Sequence, residues 1–260
     1  MPVVEAYEAL LGNIGAVLPR FAGFFLVFPL FGSNMLPKFV QRAIMIGMTV
    51  VLFPLVASQP VPSFDPMLKI AVVIKEALLG VAMGFLAGLP FWTAEGVGAV
   101  VDNQRGSSAA TLFDPIQSTQ TTPLGSMLFN LIIMLFFISG GFRAMLAGLY
   151  ETYRIWPVNS FFPRLHDYAL QLFVQKSSQY LGTIVLLASP ILITMFLITI
   201  GMGLINRFAP RLNVFILSMP IKSAAAVFLL IVCMGGFFVL FERDFADLAD
   251  LFRLLDGVFR

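Results

Sequence analysis

LKIAVVIKEALLGVAMGFLAGLPFW, residues Leu68 to Trp92, is the stretch that decides the class of this chain. A bilayer core takes about 20 apolar residues per helix, and this run exceeds that length. Inside it stand two adjacent charges, Lys75 and Glu76, three glycines four apart, Gly80, Gly84 and Gly88, and a proline, Pro90. A charge at a bilayer centre costs roughly 2.5–3.5 kcal/mol on insertion scales, so Lys75 and Glu76 should face protein or water, or else reach an interface from near a span end. Adjacent residues on a helix point about 100° apart, so the two are not expected to pair face to face and each needs another partner. Glycines at a spacing of four let helix backbones approach closely where lipid supplies no hydrophobic drive. Pro90 removes one backbone donor and kinks the helix.

Reading outward, comparable runs occupy Ile14–Phe31, Arg42–Ala57, Met127–Leu149, Tyr180–Leu204 and Val214–Phe241, which makes six crossings the default expectation. They carry Pro19, Pro29, Pro54, Pro190 and Pro220, the charges Arg20 and Arg143, and a second small-residue stripe at Gly140, Ala144 and Gly148. Backbone freed by internal prolines is tolerated at membrane depth only where neighbouring helices or a water-filled cavity satisfy it. The whole chain agrees: 59% of its 260 residues are hydrophobic and 12% charged, with a mean hydropathy of +0.93, against roughly 25% charged residues in soluble domains. A soluble globule of this size could not hide so much apolar area.

Other classes fit poorly. The formal charge of +2 comes from 16 basic and 14 acidic residues spread along the chain, with no tract to neutralise a phosphate backbone, so nucleic acid is not an expected partner. Cys233 is the only cysteine, which rules out an internal disulfide or a cysteine-based zinc site. His166 is the only histidine, and no Gly-x-Ser-x-Gly elbow or phosphate-binding glycine loop is present, so neither catalysis nor a metal or other cofactor is expected. The amino terminus carries Glu5 and Glu8 with no basic residue and reads as lacking a cleaved signal. Loop basic residues do not orient the chain. Broken helices with internal charges also suit a secondary transporter, but no inverted pair of Gly/Pro-interrupted segments supports that alternative.

Hydrophobic character lapses between Glu95 and Gly125, EGVGAVVDNQRGSSAATLFDPIQSTQTTPLG, which reads as a polar loop of small residues with a charged cluster at Asp102–Arg105. Residues 242–260 place Asp244, Asp247, Asp250 and Asp256 among Phe245, Leu248, Leu251, Phe252 and Leu255 at helical intervals, a short amphipathic helix suited to a protein contact.

Three ordered blocks carry a family resemblance. Asp102-Asn103-Gln104-Arg105-Gly106-Ser107-Ser108-Ala109, closed by Asp114-Pro115, resembles the signature of the SctT (YscT/SpaR/HrcT) family of type III secretion injectisomes. Gly140-Gly141-Phe142 with Tyr150, Tyr153 and Trp156-Pro157 is similar to the same family, as is Asn206-Arg207-Phe208-Ala209-Pro210-Arg211-Leu212-Asn213-Val214-Phe215 running on to Met219-Pro220-Ile221-Lys222. The match runs from Ile14 to about Phe241. Flagellar FliR proteins, the alternative branch, are similar in the last block, while Asp102–Gly106 favours the injectisome branch.

The resemblance implies a single all-α membrane domain over residues 1–260, built of kinked helical hairpins, with an SctS-like region followed by an SctR-like region. It implies a structural subunit that joins SctR and SctS in the inner-membrane export pore, with SctU at the entrance, SctV nearby and unfolded secretion substrates in transit. It also implies a multi-pass chain in contact with membrane lipid and partly raised toward the periplasmic side. Residues 102–122 would form an inner plug loop using Asp102, Asn103, Gln104, Arg105, Gly106, Ser107, Ser108, Asp114 and Pro115, with Asp102 and Arg105 holding it closed and Arg105 anchored on a neighbouring helix. Assembly contacts are expected at Lys75, Glu76, Gly80, Gly84, Gly88, Asn206, Pro210, Asn213, Phe215, Pro220 and Lys222, with Asn213 a helix cap.

Overall fold

The computed structural model describes residues 15, 17–31, 37–57, 66–106, 122–158, 168–211 and 213–259. Every regular element among them is helical. The first helix, α1, covers Val17–Val27 and leads into a 3-10 turn at Pro29–Phe31. Next come α2 (Lys38–Ala57), α3 (Pro66–Arg105), α4 (Pro123–Ile138), α5 (Gly141–Ile155), α6 (Tyr168–Phe208) and α7 (Val214–Phe259). Pro90, Pro190 and Pro220 all lie inside continuous helices.

Two compact units divide the chain, one of residues 1–89, 140–176 and 245–260, the other of residues 90–139 and 177–244. In the first, α1 buries Val17, Phe21, Phe24 and Phe28, α3 buries Val72, Leu79, Met83 and Leu86, and α5 buries Met145, Leu149 and Tyr153. Helical spacing of these residues is the stripe that packing one helix on another demands. The glycines let α1 and α3 meet main chain to main chain. A methyl on Gly80 would strike the Arg20 carbonyl, one on Gly84 would come within 2.6 Å of the Phe24 carbonyl oxygen, and one on Gly23 would strike the Ala77 carbonyl. The stripe thus serves a contact inside the chain.

In the second unit, Ala94, Val97 and Val101 of α3 are buried, together with Leu124, Leu128, Ile132 and Phe136 of α4. Gly98 abuts the main chain of Gly125, and Phe91 meets Phe136 edge to face at 5.2 Å. The long helices bury only narrow stripes, Ala188, Ile191 and Met195 on α6 and Ala226, Leu230 and Phe237 on α7. Beside those stripes Leu186, Phe196, Phe228 and Val232 are each about three-fifths exposed or more.

Several expectations are corrected. Among the described residues, three helices are long and apolar enough to cross a membrane, Met67–Arg105, Phe173–Phe208 and Ile216–Ala246, or four if a broken pair counts as one span. That is fewer than the six expected spans, among the described residues. The expected Met127–Leu149 span breaks at Gly140, whose φ of +76° is open to glycine at no steric cost, and a methyl there would meet nothing within 4 Å among the described residues. The expected first span ends early, because α1 stops at Val27, before Pro29. Glu95–Arg105 is not loop but the end of α3, because Val97 and Val101 supply a buried i, i+4 stripe and Gly98 allows close contact. Residues 242–259 form no separate short helix and continue α7.

Candidate functional site

Two buried polar centres stand out, one in each unit. In the first, α1 brings Arg20 into the core with its side chain fully buried. Its Nε donates to Glu76 Oε2 at 2.6 Å, Nη1 donates to Thr152 Oγ1 at 3.2 Å, and Nη2 donates to the Trp156 carbonyl at 3.0 Å. The guanidinium lies over the Tyr153 ring, 4.0 Å from its centroid, and the Tyr153 hydroxyl donates back to the Val17 carbonyl at 3.0 Å. Thr152, while accepting from Arg20, donates to Leu149 O at 2.6 Å. Arginine suits this place because its rigid fork supplies several donors to one plane and stacks on an aromatic face.

Lys75 completes the cluster. Its Nζ lies 2.9 Å from Glu76 Oε1 and donates to the Val158 carbonyl at 3.1 Å. The expectation that Lys75 and Glu76 cannot meet is therefore corrected: four methylenes let the ammonium swing around the helix, although Glu76 Oε1 gains an ion pair and no aligned hydrogen bond. The Glu76 side chain is fully buried and that of Lys75 is 12% exposed. Two cations share one carboxylate and clamp the main chain just after α5 at Trp156 and Val158, where helix carbonyls lack intrahelical partners. This arrangement fastens three distant stretches of chain. Lys75, Glu76, Gly80 and Gly84, expected at contacts with sibling subunits, find their partners here within the same chain; Gly88 is likewise buried.

The second centre is Asp102, also fully buried. Oδ2 accepts from Leu124 N at 2.8 Å and Gly125 N at 3.4 Å, and Oδ1 sits 2.7 Å from Arg105 Nη2. A carboxylate on the first turn of α4 satisfies orphan amides and meets the positive end of the helix dipole. Arg105 pairs with Asp102 on its own helix at i, i+3, a partner that the expected anchor on a neighbouring helix did not include. Gly106 ends α3 with φ +93° and donates to Asn103 O at 3.2 Å. Asn103 and Gln104 are exposed. Asp102 thereby joins the two ends of the segment that leaves at Gly106 and returns at Thr122; Ser107, Ser108, Asp114 and Pro115 lie outside the described residues.

The turn between α6 and α7 is simpler. Asn206 is exposed on the last turns of α6, Ala209 N donates to Ile205 O at 2.9 Å, and Pro210 sits in the turn. Asn213 acts as the expected cap, with Oδ1 accepting from Ile216 N at 3.4 Å. Pro220 is exposed within α7, Lys222 is half-buried, and the Phe215 side chain lies outside the described residues. Sequence reasoning missed the Arg20–Glu76 pair and the contribution of Tyr153. The available signal was two charges of opposite sign in two separate apolar runs, each in need of a partner.

The sequence model for bacterial export proteins, family 1, matches residues 11–248. The Yop proteins translocation protein T of Yersinia pestis is 41% identical over 220 residues, covering 84% of this chain and 84% of that protein. The surface presentation of antigens protein SpaR of Salmonella typhimurium is 30% identical over 213 residues, 82% of this chain and 79% of that protein. The flagellar biosynthetic protein FliR of Bacillus subtilis is 26% identical over 254 residues, 97% of this chain and 96% of that protein.

Proposed function

This chain belongs to family 1 of the bacterial export proteins, and on that premise we propose that it is the SctT-type structural subunit of a type III secretion export apparatus in the bacterial inner membrane. Higher identity to the translocation protein T and SpaR than to FliR supports the injectisome branch. The chain works beside SctR and SctS in the export pore, with SctU at the entrance and SctV nearby, and unfolded substrates pass through the assembly. Part of the subunit is raised toward the periplasmic side.

One observation carries this reading. The deeply buried charges of Arg20, Glu76 and Asp102 are neutralised inside the chain, whereas α6 and α7 leave broad apolar faces uncovered. Apolar area on that scale needs lipid or other subunits. Residues 102–122 act as the inner strap of the pore, and the tie from Asp102 to Leu124 and Gly125 supports this by holding both ends of the segment together. Asn206, Pro210, Asn213, Phe215, Pro220 and Lys222 shape the hairpin that meets sibling subunits.

The test is a strain lacking this chain. Secretion of type III substrates into the medium should cease, return with the wild-type chain, and be accompanied by co-purification with SctR and SctS. Normal secretion without the chain would refute the assignment. For the strap, Arg105→Ala should raise small-ion leak in cells with an assembled pore, and an unchanged leak removes its gating role.

A further inference from the structure

From Tyr168 through Phe241 the chain contains no acidic residue, and its charges are Lys176, Arg207, Arg211 and Lys222. Two of these, Arg207 and Arg211, fall at the turn joining α6 to α7, and both are exposed. Between them Phe208 is 87% exposed. The two sides of the turn are held by Ala209 N on Ile205 O and by the Asn213 cap.

The helices on either side decide where the turn lies. Phe173–Phe208 and Ile216–Ala246 are both long and apolar enough to cross a membrane, and their most apolar windows are only 17% and 22% buried within the chain. Where both helices cross, the short turn between them emerges at a membrane surface. On the exposed face of α6 the hydroxyls close onto their own helix, Thr183 on Gln179 O and Thr194 on Pro190 O, as an apolar surrounding requires. Two guanidiniums at that surface, with no carboxylate between Tyr168 and Phe241, are open to an external anion. Phosphate matches the guanidinium fork. An exposed aromatic ring beside it suits the boundary between headgroup and acyl chain.

We propose that Arg207 and Arg211 bind the phosphates of anionic phospholipids, with Phe208 entering the acyl boundary alongside. An acidic protein segment is the competing occupant of the arginines, and the co-purification readout separates the two.

The experiment uses the purified full chain in detergent, titrated with phosphatidylglycerol or phosphatidylcholine and read by native mass spectrometry. Wild type should retain phosphatidylglycerol over phosphatidylcholine. Arg207→Gln with Arg211→Gln should weaken that retention by roughly thirtyfold, about fivefold for each arginine, while Arg207→Lys with Arg211→Lys retains most of it. Arg143→Gln with Arg154→Gln, exposed charges in the other unit, should leave retention intact. An unchanged affinity in the glutamine pair, or an equal loss in the Arg143 and Arg154 pair, overturns the proposal. So does displacement of the lipid by inorganic phosphate at equal concentration. Loss of partner-subunit co-purification with lipid retention intact also overturns it and assigns the arginines to a protein contact.

Discussion

Glu76 and Asp102 are both fully buried carboxylates on α3, and they are neutralised in different ways. Each has one oxygen hydrogen-bonded and the other held by charge alone. For Glu76 the partners are side-chain cations, Arg20 from α1 and its neighbour Lys75. For Asp102 they are the first amides of α4 and a guanidinium one turn along its own helix. The first design removes three formal charges from solvent and depends on all of them. The second uses main-chain dipoles that exist wherever a helix begins, and tolerates more. Depth of burial alone therefore does not rank the importance of a charge; what replaces its water does.

The largest effect expected from this difference is at Arg20. Arg20→Ala leaves Glu76 buried with only Lys75, which should cost roughly 3–5 kcal/mol and empty the membrane of folded chain, as measured by accumulation of a carboxy-terminal reporter. Arg20→Met with Glu76→Leu should recover much of that loss, since replacing both members of a buried pair by apolar groups is often neutral. A double variant no better than the single one would mean that the contacts to Thr152 and Trp156, not the ion pair, hold the unit.

A second comparison sets occluded glycines against open ones. Gly80→Ala pushes a methyl into the Arg20 carbonyl and should destabilise by about 1–3 kcal/mol, read as a lower melting temperature in detergent. Gly201 has nothing near it within this chain, so Gly201→Ala should be neutral or gain up to about 1 kcal/mol. If Gly201→Ala lowers co-purification of sibling subunits without lowering the melting temperature, its open face is an assembly contact.

Asp102→Ala should cost about 1–2 kcal/mol, the range for a lost helix cap, less than Arg20→Ala although both side chains are fully buried. An equal cost would erase the distinction between main-chain and side-chain neutralisation. The smallest effect is expected at Asn213, where the cap hydrogen bond is long and exposed at 3.4 Å; Asn213→Ala should cost about 0.5 kcal/mol and act mainly on co-purification with SctR or SctU.

Much of the class was legible in advance. Apolar runs longer than a bilayer core, Arg20 and Glu76 inside them, and prolines at Pro90, Pro190 and Pro220 are local facts, and they announce a helical membrane protein that must neutralise charges internally. The Asn213 cap was readable for the same reason, since a cap is decided within one turn. Less legible was where helices end. Gly96 and Gly98 look like loop residues, yet residues 95–105 stay helical because Val97 and Val101 have α4 to lie against. Gly140 looks like part of a packing stripe but breaks a span.

By itself, then, the amino-acid order determined the solvent this chain lives in and the kind of element it forms, because transfer free energy and hydrogen-bond satisfaction are summed residue by residue. Only the tertiary structure decided which charge met which: Arg20 finds Glu76 across 56 residues, and Asp102 finds the amides of α4 across 22. Pairings of that kind depend on which backbones can approach, and Gly80, Gly84 and Gly98 permit contacts that no spacing rule names in advance.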